Sequence, residues 1–482
     1  MKTRIPVLEK KLIHPMSETF HDYLKDESKM TGSAESISFP ENEADIRNIL
    51  QVMRDRKIPV TIQGGKTGVV GSAVPLVGHI MNLSHMTKVK SFAISEEGEM
   101  SLVVEPGITL RELRNAIQRL ETHQDFFWPP DPSEPTASVG GIASTNANGI
   151  CFHLYGKAAS YISGIRVINA DGFDRDLKKG QERVVINGVS HDLLDVYLGG
   201  EGMYGVITEL TLRLIPKPKE IWGLGFFFED PEDGMSFADE LNATSFEVQG
   251  ASLAAIEFLD HTILNALVMH HPRNTRFNHT PDLVHHASAM IYVEIHGSQE
   301  DAIEEIAQTL MMMGSNFNGD PDKTWAFSGE PEMDKMRTFL HAAAETAILH
   351  IAKIRSKDSR ITKLGLSISL EQDGLRTLVR RYEKELQKKH LKACFWGHMG
   401  GNSLHVDMLP ESYGEFVKGR ALLEAWAEKF PVSIKSAITS YGIGKLKKSI
   451  FLKTASKTTI DDIIQLKKQL DMNNLWNPGN ML

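Results

Sequence analysis

Cysteine is nearly absent. Cys151 and Cys394 are the two in 482 residues, and no CxxC or cysteine cluster occurs. A disulfide framework, an iron–sulfur cluster and a structural zinc finger are thereby excluded, because each needs more thiols at closer spacing. Long apolar runs are missing too. No stretch reaches the ~18 apolar residues that a membrane span requires, so no spanning helix is expected. The start, MKTRIPVLEKKLIHP, has no apolar core for a secretory signal, and none is expected. Positive charge is not in excess. Lys and Arg number 53 against 62 Asp and Glu, a formal net charge of −9. A phosphate-binding surface needs the opposite sign, so nucleic acid is not the expected partner. There is no internal repeat and no low-complexity tract. A cytoplasmic protein is the expectation, with attachment to a membrane periphery left open.

What is present describes an ordinary globular chain, 41% hydrophobic and 24% charged. Its length exceeds what one core supports, so two or three domains are expected. In EADIRNILQVMRDR, Ile46, Ile49, Leu50 and Met53 repeat at i, i+3, i+4 and i+7, which predicts an amphipathic helix. PVTIQ and MSLVVE read as strands. Thr109 and Glu112 form a capping-box pattern ahead of a helix whose face is Leu110, Leu113, Ile117 and Leu120. TLRLIPKPKEIW, residues 211–222, reads as a boundary, where an alternating strand runs into two prolines. Beyond it, AMIYVEIHG, KLGLSISLE and ACFWGH read as strands. Between them stand a helix capped by Ser298, with Ile303, Ile306, Ala307 and Leu310 on its face, and a helix marked by Leu375, Leu378, Val379, Tyr382 and Leu386. Such alternation suggests a compact sheet with helices on one face.

Four glycine-rich segments dominate the first half: QGGKTGVVGSAVP (63–75), WPPDPSEPTASVGGIASTNANG (128–149), YGKAASYISGIRVINADG (155–172) and GGEGMYGVITELTLRLIPKP (199–218). Glycine permits positive φ and brings backbone N–H groups close to a ligand, as a diphosphate demands. Neither a Walker loop nor GxGxxG fits the spacing. In this order, and with the ending LWNPGNML, the segments resemble the flavin-binding domain of the p-cresol methylhydroxylase and vanillyl-alcohol oxidase superfamily. The pattern is most similar to FAD-linked D-lactate, glycolate and D-2-hydroxyglutarate dehydrogenases. The resemblance implies an α+β fold: a two-subdomain FAD-binding domain over 1–218, a ferredoxin-like α+β cap over 219–435, and a segment, 436–482, returning to the FAD domain. It implies that Gly64, Gly65, Lys66, Thr67 and Gly68 meet the FAD pyrophosphate. Lys66 stands where relatives carry glycine or asparagine, and either adds a charge or points outward. Pro130, Asp131, Ser133, Ser138, Gly141, Ser144 and Asn146 would line the ribityl chain and flavin ring; Gly202, Gly205 and Ile207 would contact the adenine side. Glu201 is expected to brace its loop. Cys151 and His153 follow the second motif, but the resemblance implies a non-covalent flavin.

A hydroxyacid dehydrogenase must hold a carboxylate and take a proton from the hydroxyl. Arg337 and Lys363 match positions that bind substrate in the family, and their charges suit a carboxylate. GHMGGNSLH, residues 397–405, sets two histidines about a glycine turn. In a hairpin closed around GGNS, His398 would sit opposite His405, with Cβ atoms about 4.5–5.5 Å apart. Relatives use both as ligands of a divalent metal, completed by a glutamate in a Glu-His pair. This chain has Ser440 and Tyr441 there. A divalent metal is therefore doubtful, with Asp407 as a substitute ligand. Without metal, His398 or His405 takes the proton and Tyr441 binds the substrate oxygen. The expected function is FAD-dependent oxidation of a hydroxyacid or related alcohol, by hydride transfer from the carbinol carbon to flavin N5. Electrons then pass to a quinone, an electron-transfer flavoprotein or oxygen. A homodimer is compatible with this reading. The alternatives are a non-redox enzyme resembling alkyldihydroxyacetonephosphate synthase, or a catalytically altered flavin-binding subunit.

Overall fold

The structure, a computed structural model, describes residues 12–482 apart from 97, 133, 247, 271–283, 285, 370–373, 402 and 430–440. Ser133 and Ser440 therefore lie outside the described residues. The chain forms two compact units. Met1–Asn148, Lys157–Pro216 and Thr439–Leu482 make the first; Gly149–Gly156 and Lys217–Ile438 make the second.

The first unit holds two principal sheets. Strands β1 (Ile13–Pro15), β2 (Ser36–Ser38), β3 (Val60–Gln63) and β4 (His79–Asn82) lie in the order β1-β2-β4-β3. The pairs β2–β4 and β3–β4 are parallel. Parallel neighbours need a crossover, and helix Glu43–Arg56 lies between β2 and β3 in the chain. Asn42 caps it by accepting from the Asp45 N–H, and left-handed Lys57 ends it. Ile46, Ile49, Leu50 and Met53 are all buried, in one core with Val60, Met81 and Trp476. The second sheet uses β5 (Val89–Ile94), β6 (Met100–Val104), β7 (Phe126–Phe127), β8 (Ile162–Ile168), β9 (Asp174–Lys178) and β12 (Val206–Pro216). Its order is β5-β6-β12-β8-β9, with β7 on β12. Strands β10 (Arg183–Ile186) and β11 (Val189–Asp192) form a separate hairpin. Helix Leu110–Gln118 carries the expected capping box: Glu112 N–H donates to Thr109 Oγ1 at 3.2 Å, and Thr109 N–H to Glu112 Oε2 at 2.9 Å.

The second unit is built on seven antiparallel strands: β13 (Glu220–Phe228), β14 (Ala251–Asp260), β15 (Ala289–Gly297), β16 (Trp325–Ser328), β17 (Gly365–Ser369), β18 (Ala393–His398) and β19 (Ser403–Met408). Their order is β16-β13-β15-β14-β18-β19-β17. Helices cover both faces, not the single face expected from the alternation. Phe226 and Phe228 pack on Phe237 of helix Pro231–Ala243. On the opposite face Trp325 meets Phe339 of helix Glu330–Arg355. The cause lies in β15, where every residue is buried. A strand buried on both sides needs cover on both. Gln299, not Ser298, holds the N-cap position of helix Glu300–Asn316, without a side-chain hydrogen bond; Ser298 Oγ donates to the Gly250 carbonyl. No helix among the described residues is long and apolar enough to cross a membrane.

Candidate functional site

In the first unit, the glycine-rich segments come together. The loop after β3 lies against residues 136–141 so closely that side chains are excluded. A Cβ on Gly64 would fall 2.0 Å from Ser138 Oγ, and one on Gly65 would fall 2.5 Å from the Thr136 carbonyl oxygen. Ser138 Oγ accepts from the N–H groups of Gly65 at 3.3 Å and Gly141 at 3.2 Å. Lys66 adopts φ +58, a left-handed conformation that favours glycine or asparagine. Its ammonium points to the Asp22 carbonyl at 3.1 Å and lies over the Tyr23 ring. The Lys66 charge is thus met by these two groups. Thr67 and Gly68 continue the loop, half-buried.

The fourth glycine segment joins the second. Glu201 N–H donates to the Ser144 carbonyl at 2.8 Å, and Gly199 N–H to that of Ala143 at 3.0 Å. Asn146, at φ +47, ends helix Val139–Thr145 and accepts from Ala159 N–H through its side chain. Gly202, at φ +71, meets Asn477 Nδ2, where a Cβ would lie at 2.5 Å. Gly205 lies against the Ile168 carbonyl, and Ile207 is buried in β12 opposite Val167. Pro130 is buried, and Asp131 pairs with Arg114. Glu201 acts as the expected brace. Its carboxylate accepts from Ile443 N–H at 2.5 Å, Gly444 N–H at 2.8 Å and Ser72 Oγ at 2.8 Å. This ties the 442–444 turn, which follows Tyr441, to the glycine loops. The result is close backbone packing where two loops meet, which glycine permits.

The second unit concentrates its chemistry on one face of the seven-stranded sheet. Strand alternation and register select which residues share that face. Ser367 pairs with His405, His405 with Trp396, Glu257 with His398 and with Tyr292. Glu294 and His296 follow Tyr292 at every second position of β15. His398 Nδ1 hydrogen-bonds Glu257 Oε1 at 2.6 Å. Burial pulls the His398 pKa down, but the Glu257 charge and hydrogen bond outweigh it, and the net value lies above the usual imidazole range. His405 Nδ1 meets Ser367 Oγ at 2.8 Å. The two imidazole rings lie 5.6 Å apart and nearly perpendicular.

The symmetric hairpin expected around GGNS does not form. His405 stands opposite Trp396, and His398 is displaced by two positions along β18. The connection contains a 3₁₀ turn, Met399–Gly401, and Gly397 approaches β19 so closely that a Cβ would sit 2.4 Å from the Ser403 carbonyl. The turn, not the histidine spacing, sets the register. Asp407 shares the face with His405, but Lys363 and Trp396 occupy its carboxylate, the latter at 3.1 Å. Asp407 is thus committed to partners other than the histidines, and the Lys363 charge is matched inside the fold. Arg337, on helix Glu330–Arg355, places NH2 3.7 Å from Glu294 Oε1. Tyr441 is half-buried in the first unit.

Sequence reasoning passed over a second cluster on this face. Glu294 is fully buried and accepts from Tyr292 Oη at 2.7 Å. Its Oε1 lies 2.8 Å from His296 Nε2 and 3.4 Å from Cys151 Sγ. His296 Nδ1 in turn meets Tyr155 Oη at 2.7 Å. Burial raises the Glu294 pKa, but the His296 hydrogen bond and the Arg337 charge overcome it and hold the carboxyl down at about 2. Burial and the Glu294 charge push the Cys151 thiol well above its usual range. His153, the other residue weighed for a flavin bond, hydrogen-bonds the Gly400 carbonyl at 2.9 Å. The period-two order Tyr292, Glu294, His296 within β15 is the signal for it in the sequence.

Comparison with known proteins follows the division of the chain. Residues 34–174 match the family described as FAD binding domain, and residues 217–481 match FAD linked oxidases, C-terminal domain. A mitochondrial D-lactate dehydrogenase [cytochrome] of Arabidopsis thaliana is 26% identical over 92% of this chain and 73% of its own. Glycolate oxidase subunit GlcD of Bacillus subtilis is 23% identical, over 93% and 88%. A mitochondrial D-2-hydroxyglutarate dehydrogenase of Rattus norvegicus is 25% identical, over 94% and 78%. Among solved structures, 4-ethylphenol oxidase from Gulosibacter chungangensis shares the fold at a TM-score of 0.71 and 16% identity, covering 99% of this chain and 96% of that one. p-Cresol methylhydroxylase does so at 0.71 and 15%, over 99% and 95%. Alkyldihydroxyacetonephosphate synthase does so at 0.64 and 14%, over 98% and 85%.

Proposed function

This chain belongs to the FAD linked oxidases, and on that premise we propose that it oxidises the CH–OH group of a 2-hydroxyacid or related alcohol and delivers the electrons to a separate acceptor. FAD is the cofactor. When bound, it supplies a hydride acceptor at the flavin N5. The relatives named for D-lactate, glycolate and D-2-hydroxyglutarate support the substrate class. We place the diphosphate on Gly64, Gly65, Thr67 and Gly68, and assign Ser138, Gly141, Ser144 and Asn146 to the loop that positions the cofactor. The hydrogen bond of His153 to Gly400 and the Cys151–Glu294 contact favour a non-covalent flavin.

The observation that carries the reading is the Glu257–His398 pair at 2.6 Å. A carboxylate on one imidazole nitrogen fixes the tautomer and stabilises the imidazolium that forms on proton uptake. His398 Nε2 is then the atom that takes the hydroxyl proton as the C–H is transferred. His405, oriented by Ser367, stands beside it and supplies a second imidazole at the substrate oxygen. Arg337 is the cation assigned to the substrate carboxylate. Lys363, neutralised by Asp407, is assigned to shaping the strand beside His405. The proton transfer is assigned to His398 without a metal at the histidine pair. The acceptor is a quinone, an electron-transfer flavoprotein or oxygen.

The test is anaerobic mixing of the flavin-loaded protein with D- and L-2-hydroxyacids and simple alcohols, followed at about 450 nm where oxidised flavin absorbs. At least one hydroxyacid bleaches the flavin, and His398→Ala slows that reduction by roughly 10²–10⁴-fold. Glu257→Gln moves the acid-limb pKa of the reduction rate downward, because it removes the group that holds His398 above its usual range. A panel that leaves the flavin oxidised, or an unchanged rate in His398→Ala, overturns the assignment.

A further inference from the structure

We propose that Cys151, Glu294 and His296 form a binding site for a divalent transition metal of the zinc class, distinct from the His398–His405 pair. Their ligand atoms all lie within 4.8 Å of one another. The separations are 3.4 Å from Sγ to Glu294 Oε1, 3.9 Å from Sγ to His296 Nε2 and 2.8 Å from Nε2 to Oε1. Zinc bonds of about 2.3 Å to sulfur and about 2.0 Å to nitrogen and oxygen set tetrahedral edges of roughly 3.5, 3.5 and 3.3 Å. Each separation matches its edge to within about half an ångström, so rotamer adjustment alone opens the cluster to an ion. Thiolate, imidazole and carboxylate together suit zinc or cobalt; magnesium and calcium take oxygen alone.

The surroundings are those of a ligand set held in place. Tyr155 Oη holds the second imidazole nitrogen at 2.7 Å, which leaves Nε2 directed at the cluster. Tyr292 Oη holds the second carboxylate oxygen at 2.7 Å, which leaves Oε1. Tyr292 reaches that position because residue 223 is glycine: a Cβ there would lie 2.8 Å from Tyr292 Oη. Glu294 and His296 are buried, while Cys151 is half-buried. With Cys151 ionised, two negative ligands match a dication, and the Cys151 proton leaves to solvent on binding. Arg337, 3.7 Å from Glu294 Oε1 in this structure, then loses its carboxylate partner to the ion. The inference rests on these side chains and not on the hydroxyacid reading.

The experiment is to equilibrate the full-length, flavin-loaded protein with zinc, remove loosely held metal by desalting, and measure zinc per chain and the zinc-edge X-ray absorption spectrum. The expected result is one zinc per chain with one sulfur at about 2.3 Å. Cys151→Ser and His296→Gln each weaken zinc retention by roughly tenfold or more, and Cys151→Ser removes the sulfur. His405→Ala keeps both metal and sulfur. The unmutated spectrum decides alone if a variant fails to fold. Failure to retain zinc overturns the site. So does a shell without sulfur, or an ion lost in His405→Ala but kept in Cys151→Ser.

Discussion

Replacing Glu201 separates two causes of stability in the flavin-binding unit. Glu201→Ala removes the acceptor for two backbone N–H groups, of Ile443 and Gly444, and for the Ser72 hydroxyl. Glu201 is 3% exposed, so water does not replace it. Hydrogen bonds to a charged group are worth about 1.5–3 kcal/mol each. Against their loss stands the relief of a desolvated carboxylate: burial raises the Glu201 pKa despite bonds from Ile443, Ser72 and Gly444 that lower it. The net cost is then about 3–5 kcal/mol, the range for an opened buried ionic network. For a unit of this size 1 kcal/mol moves Tm by about 2–4 °C, so the transition falls by roughly 10 °C. Glu201→Gln behaves differently. The raised pKa means that the fold favours the uncharged carboxyl more than the unfolded chain does. The neutral amide keeps an acceptor for one of the two N–H groups, its NH₂ can donate to Ser72 Oγ, and it escapes the desolvation cost, but the other N–H is left facing the NH₂. Its cost is then about 1–3 kcal/mol, below that of the alanine variant. The assay is thermal unfolding followed by the fluorescence of released flavin, which reports the first unit. If the glutamine variant unfolds as early as the alanine variant, charge and not hydrogen-bond geometry secures the 442–444 turn, and the reasoning fails.

His79 predicts an acid limb of stability. Its ring lies between Ser36 and Ser38, and burial pushes its pKa down to about 3. The folded chain keeps it neutral while the unfolded chain takes a proton below about 6.5, so stability falls as pH drops from 6.5 toward 3. By pH 4.5 the loss is about 2–3 kcal/mol. Equilibrium unfolding of His79→Gln across that window should show a shallower slope than the parent; parallel curves would refute the linkage. In the glycine loop, Gly65→Ala puts a Cβ 2.5 Å from the Thr136 carbonyl oxygen, and backbone on both sides must shift. Flavin should then be lost on gel filtration. Full flavin occupancy would remove that close approach from the cofactor site.

What was legible in the chain was what is local. Helix Glu43–Arg56 shows in its 3.6-residue rhythm, and the Thr109–Glu112 box shows in two side chains three residues apart. The glycine segments are legible as a set, because each needs backbone that approaches other atoms closely. Contacts across strands were not. The displacement of His398 from His405 depends on how the Met399–Gly401 turn and the Gly397 close approach set the register. The cover on both faces of the sheet follows from burial of every residue in β15, which the sequence shows only as a run of mostly apolar residues around Glu294 and His296.

The change from Glu-His to Ser440-Tyr441 can now be weighed differently. Against the pattern that the resemblance implies, it removes a carboxylate and a base. Read across the sheet, His398 has a carboxylate already: Glu257, 141 residues earlier, pairs with it in the β14–β18 register. Glu257 lies in ASLAAIEFLD, where an acid at an inward position of an apolar strand is costly unless a partner meets it. Cys151 and Glu294 repeat the pattern over a separation of 143 residues. Buried acids inside apolar strands are thus the signal along the chain for partners that only the fold supplies. Motif spacing finds the histidines, and the unexplained acids find what the histidines bind.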